Sequence, residues 1–122
     1  TLTFRALSDA AETTEKETQL RSLFTDTVPL DDWLTRWRQR LEKESRSASQ
    51  IAAQMRETNP VIIPRNHQIE AVIKAAVSSN DLGPFHRLVD ELARPFDDRP
   101  GIADLKLPPK PEEVVHATFC GT

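Results

Sequence analysis

A thiol, three imidazoles, the adjacent carboxylates near the C-terminus and one arginine at a rigid link are the side chains of this sequence with chemistry to offer. Cys120 is the only cysteine among 122 residues and stands third from the end, in Phe119-Cys120-Gly121-Thr122. Alone it cannot close a disulfide within the chain. It either exchanges reversibly with a thiol elsewhere or is incidental to a terminus that tolerates change. His67, His86 and His116 are far apart and lack ligand spacing with one another, so each reads as a surface or helix-end histidine rather than a metal ligand. Asp97-Asp98 and Glu112-Glu113 pair acids, but neighbouring side chains diverge, and solvated loop charges are the better account. Gly83, Gly101 and Gly121 are the only glycines, too scattered for a phosphate-cradling loop, and no Asp-Phe-Gly or kinase-type catalytic-loop pattern occurs. The residues therefore offer no catalytic, cofactor-binding or metal-binding site of the chain's own.

The segment Asn59-Pro60-Val61-Ile62-Ile63-Pro64-Arg65-Asn66-His67 is more specific. It reads as a helix stop, an extended link stiffened by two prolines, and a helix start that presents Arg65 at the junction. Two roles are open for Arg65 and Asn66. Arg65 pairs with a carboxylate or a helix C-terminus inside a connector, or the two residues dock another domain.

The elements that position these groups are helical. Leu30, Trp33, Leu34, Trp37 and Leu41 share one face of a 3.6-residue period, with Pro29 suited to the first position and both tryptophans assigned to the core. Ser47 and Gln50 have capping-box spacing ahead of Ile51, Ala52 and Met55. Asn66 is placed to cap a helix with the stripe Ile69, Val72, Ile73, Ala76 and Val77; Ser78-Ser79-Asn80-Asp81 breaks it. A further helix carries Leu82, Phe85, Leu88, Val89 and Leu92 and ends at Pro95. Phe4 with Leu7, and Leu20 with Leu23 and Phe24, mark two shorter helices. Five of the nine prolines fall from Pro95 onward. The expected fold is all-α: about five helices in a small bundle over residues 1–94, then an irregular proline-rich arm, 95–122, whose Val114, Val115, Ala117 and Phe119 suit a groove.

Composition narrows the function classes. Sixteen basic and nineteen acidic residues leave a net charge of −3, which gives no strong attraction for nucleic acid or anionic membrane. The basic run Arg36 to Arg46 is interrupted by Glu42 and Glu44 and reads as a solvated helix face. No apolar run approaches the ~20 residues that span a bilayer. The chain opens on Thr1 rather than methionine, which hints at a processed or truncated product.

Trp33 and Trp37 with Arg40-Leu41, Met55-Arg56, Asn59-Pro60 through Pro64-Arg65-Asn66, Phe85 through Leu92, and Arg94-Pro95-Phe96-Asp97-Asp98-Arg99-Pro100 follow one another in a familiar order. With Pro108-Pro109 and the terminal Phe119-Cys120-Gly121-Thr122, they make the chain resemble the C-terminal region of the selenoprotein O family over nearly its whole length. The resemblance implies a fragment. The family is kinase-like in fold and transfers AMP from ATP to protein Ser, Thr and Tyr hydroxyls, using ATP and Mg2+ in a portion that precedes the region matched here. It implies no catalytic residue in this chain, a packing partner in the chain's own N-terminal kinase-like domain, and protein substrates for the parent. It also implies the cytoplasm of a bacterial-type member, where cysteine stands in place of selenocysteine. For Cys120 it implies a regulatory disulfide with the kinase-like domain. Detached helices of this kind are expected to expose apolar surface and self-associate. The competing expectation is an independent helical module that binds a protein or peptide. In-frame kinase-like sequence upstream would separate the two.

Overall fold

Local chemistry sets where each helix starts and stops. The computed structural model describes residues 1–118, and every regular element among them is helical. In chain order these are α1 (Leu2–Glu12), a 3-10 turn (Thr14–Lys16), α2 (Glu17–Arg21), α3 (Val28–Leu41), α4 (Ala48–Thr58), α5 (Asn66–Ser79), α6 (Gly83–Leu92), α7 (Ala103–Lys106) and a second 3-10 turn (Pro111–Glu113). The all-α class holds, with seven helices rather than about five among the described residues. Two compact units result, Thr1–Pro60 and the chain from Val61 onward.

In the first unit, Ala10 and Ala52 are wholly buried, and their lack of side-chain bulk lets α1 and α4 pack closely. Ala6, Leu7, Ala10, Leu20 and Leu34 form one core cluster; Ala11, Ile51 and Ala52 form another, and Trp37 and Met55 pack against both. Burial of Leu20 alone contributes about 1.5–3 kcal/mol. The expected capping box is present: Ser47 Oγ accepts from the Gln50 N–H (3.3 Å), and Gln50 Oε1 accepts from the Ser47 N–H (2.9 Å). At the other end of α4, Arg5 donates to the carbonyls of Arg56 (3.0 Å) and Asn59 (3.2 Å), the acceptors a helix terminus leaves open. Arg56 in turn reaches back to Asp9 and Glu12 on α1.

In the second unit, Val61 and Ile62 both donate their N–H to the Pro95 carbonyl, at 2.7 and 3.3 Å. This anchors the extended link against the chain that leaves α6. The core here is Val61, Ile62, Leu88, Ile102 and Leu105, with Ile69, Val72 and Leu92 packed on it. Asn80 closes α5 in the left-handed region (φ 50°), a conformation its short polar side chain tolerates. The proline-rich stretch is mostly non-helical, but Ile102 and Leu105 make it part of this core; the two are three residues apart on α7 and its cap, too short a run to show as a stripe.

Three local readings are corrected. Asn66 does not cap α5: Arg65 holds the extended cap position, no side chain closes it, and Asn66 is the first helical residue. Pro29 is the second residue of α3 rather than the first. Trp33 keeps 40% of its surface exposed, because Leu30, Leu34 and Trp37 fill the inward face and Trp33 stacks on the flank of Trp37 (5.6 Å between rings, 17°).

Glu17 ties α2 to α3 and to the end of α1. Its Oε1 accepts from Arg38 Nε (2.8 Å) and its Oε2 from Arg21 (3.1 Å), while Arg38 also donates to the Ala10 carbonyl (3.1 Å). Burial pushes the Glu17 carboxyl up, but hydrogen bonds from Arg38 and Arg21 and their charges outweigh it and hold the carboxyl below its ordinary range. A depressed folded-state pKa adds stability that is present above the ordinary value of 4.5 and is lost as pH falls through the lower, folded one. In urea unfolding followed by the fluorescence of Trp33 and Trp37, Glu17→Gln therefore lowers the midpoint by more at pH 7 than at pH 3. An equal deficit at both pH values would contradict this assignment.

Candidate functional site

The proline-bracketed link delivers Arg65 to one place. Pro64 and the extended cap conformation at Arg65 (φ −85°, ψ 139°) aim its guanidinium at α7, where Nη2 donates to the Lys106 carbonyl at 3.0 Å. Gln68, on the first turn of α5, donates through Nε2 to the Asp104 carbonyl (3.3 Å). Two side chains at the start of α5 thus reach carbonyls of the short α7; that of Asp104 also accepts the Leu107 N–H (3.3 Å). Asn66 sits exposed at the start of α5.

Two further arginines, which sequence reasoning passed over, hold the proline-rich stretch. Arg87 meets both Asp104 oxygens at 2.8 Å and also donates to the Gly101 carbonyl (3.0 Å), where φ of 91° turns the chain. The Arg87 hydrogen bond outweighs partial burial and holds the Asp104 carboxyl below its ordinary range. Arg99 donates to the carbonyls of Arg94 (3.0 Å), Asp97 (3.1 Å) and Glu91 (2.9 Å) and pairs with the Glu91 carboxylate. Bidentate and multi-carbonyl contacts of this kind are geometry only a guanidinium supplies. The sequence signal was present in Arg94-Pro95-Phe96-Asp97-Asp98-Arg99, a charged turn, but which carbonyls it binds depends on the fold.

The other chemical candidates stay dispersed. His67 lies in the first turn of α5, His86 rests edge-on to Phe85, and His116 is exposed. Asp98 pairs with Lys106, and Glu113 Oε2 accepts the Lys110 N–H (2.9 Å). Among the described residues no group of three His, Cys, Asp or Glu side chains converges to hold a metal ion. No helix among the described residues is long and apolar enough to cross a membrane. Cys120 lies outside the described residues.

These contacts tie short helices and the proline-rich stretch together, and comparison with known proteins gives the family. A family model described as protein adenylyltransferase SelO matches residues 2–93, more than half of the chain. The chain belongs to the SelO family. It is 54% identical over all 122 residues to the protein nucleotidyltransferase YdiU of Bradyrhizobium sp. strain BTAi1, and 52% identical to that of Bradyrhizobium sp. strain ORS 278. Identity to the protein nucleotidyltransferase YdiU of Rhizobium meliloti strain 1021 is 48%. Each match covers 100% of this chain and 25% of the relative, so the chain spans about a quarter of the length of these curated relatives. No solved structure matches it. The SelO model stops at residue 93, yet the relatives match through the stretch that carries Ile102, Leu105 and their arginine anchors.

Removing the Arg65 guanidinium should loosen α7 first. Arg65→Ala is expected to raise amide exchange across Ala103–Lys106 and to cost about 1.5–3 kcal/mol, the range for a hydrogen bond to a charged group. Hydrogen-exchange mass spectrometry checks this, and unchanged protection of α7 would show that Arg65 does not hold it.

Proposed function

We propose that this chain is the helical C-terminal segment of a SelO-type protein adenylyltransferase, a structural and redox-regulatory element of an enzyme whose chemistry lies elsewhere in the polypeptide. The observation that carries this reading is the end-to-end match of the chain to one quarter of proteins named protein nucleotidyltransferases. In the reading, the kinase-like remainder holds ATP and Mg2+ and transfers AMP to serine, threonine or tyrosine hydroxyls of protein substrates in the bacterial cytoplasm. The helical segment packs on that remainder, its own N-terminal kinase-like domain. Arg65 acts by ordering α7, and the exposed Asn66 is the docking candidate at the same junction. No nucleic-acid or membrane partner enters the reading.

Cys120 is the regulatory group. Its thiolate attacks a disulfide formed on a cysteine of the kinase-like domain, expels the thiol of a small oxidised carrier such as a glutathione-type disulfide, and leaves the two parts of the enzyme cross-linked. Reduction by a dithiol reverses the step.

Incubated with labelled ATP and a protein acceptor, the 122-residue chain alone is expected to transfer no AMP, whereas the full-length enzyme transfers it. Transfer by the isolated chain would overturn the reading. Mass spectrometry of the oxidised, unreduced full-length protein is expected to find Cys120 in a disulfide with a cysteine of the kinase-like domain; a thiol that stays free under every oxidising condition would remove the redox role while leaving the scaffold role in place.

A further inference from the structure

The first unit carries a concavity of about 360 Å³ walled by Phe4, Leu7, Leu20, Phe24, Leu30 and Trp33. Leu7 and Leu20 form its buried floor, while Phe4, Trp33 and Phe24 stand around it at 55%, 40% and 38% exposure. Three large aromatic side chains left that open around an apolar floor form the kind of surface that a soluble domain ordinarily covers. The volume lies at the low end of the ~300–1,000 Å³ typical of small-molecule sites. Such sites also carry converging polar groups, and this one carries almost none. Thr3 lies at the edge, and Asp26, the one carboxylate, already accepts the Val28 N–H through Oδ1 (3.0 Å). The occupant it fits is therefore one or two large apolar side chains of a polypeptide.

The position of the groove indicates which polypeptide. Thr3, Phe4 and Leu7 belong to the first two turns of α1, so the groove is built on the point where the chain enters the fold. About three quarters of the length of the relatives lies outside the 122 residues matched here. A segment tethered at Thr1 meets the groove at high effective concentration, and ~10 residues reach at most ~36 Å when extended, ample to fold back onto the first turns of α1. We propose that, in the full-length protein, the groove seats apolar side chains of the segment that leads into Thr1, which makes it the joint between the helical part and the rest of the enzyme. The inference rests on the reading of the chain as a C-terminal segment and adds to it the docking face and its occupant.

Photo-cross-linking of the full-length protein tests it, with Phe24 replaced by p-benzoylphenylalanine. The expected product is an adduct within one polypeptide, at a yield independent of dilution, whose partner peptide maps to the segment immediately before Thr1. A dimer-sized adduct would assign the groove to a second copy. An adduct elsewhere in the polypeptide would assign it to another face of the enzyme, and no adduct would leave it uncovered; each of these overturns the proposal. A replacement that fails to fold is bypassed by hydroxyl-radical labelling of the unaltered full-length protein. Relative to the urea-unfolded protein, labelling of Phe4, Phe24 and Trp33 is expected to fall by more than about fivefold, as contact shielding requires. A fall of only about twofold, matching their share of open surface in this unit, overturns the proposal. Failure here leaves the C-terminal reading standing, because that reading depends on AMP transfer by the full-length enzyme. Absence of AMP transfer would remove the reading without altering the cross-link.

Discussion

Arginine donation to backbone carbonyls is the interaction on which both units depend. Short helices leave their last carbonyls without partners, and a chain with small cores cannot afford those groups buried and unpaired. Here Arg38 takes a carbonyl in the last turn of α1, Arg5 takes two at the end of α4, Arg65 takes the last of α7, and Arg99 takes that of Glu91 near the end of α6. A positive charge at a helix C-terminus is also favoured by the helix dipole. The carboxylates that accompany Arg38 and Arg99, Glu17 and Glu91, fix the guanidinium planes rather than drive folding by charge alone.

The distribution of apolar surface follows from the same economy. α5 carries the regular stripe Ile69, Val72, Ile73, Ala76 and Val77 yet buries none of it completely, and α6 buries only Leu88. Ile73, Val77, Phe85 and Val89 remain open on the second unit, as Phe4, Phe24 and Trp33 do on the first. Amphipathic helices gain most of their stability from a packed face. A chain that leaves this much apolar surface unpacked is consistent with a segment that shares surface with a longer polypeptide, in keeping with relatives four times its length.

Helices were legible wherever their signals are local. The Ser47–Gln50 capping box, the stop at Asn59-Pro60 and the extended Pro60-to-Pro64 link depend on neighbours within four residues, and each is found as read. Trp33 was placed inside because periodicity ranks a tryptophan with leucine; only the packing of Leu30, Leu34 and Trp37 shows that the inward face was already full. Ile102 and Leu105 were missed because the six residues between Gly101 and Pro108 are too short a run to show a period. The arginine contacts were illegible for a different reason: they join residues 28 to 54 positions apart in the first unit, and no spacing rule reaches that far. The candidate site was legible only as a junction at Arg65; the carbonyl that Arg65 binds was not.

In the proposed function these 122 residues support and regulate a nucleotide site they do not contribute to. Calorimetric titration of Mg-ATP into the full-length enzyme, and into the same enzyme with the 122 residues removed, tests that division most directly. The account predicts dissociation constants within about threefold of each other, provided the shortened enzyme still unfolds cooperatively. A shortened enzyme that unfolds cooperatively yet no longer binds Mg-ATP would contradict it.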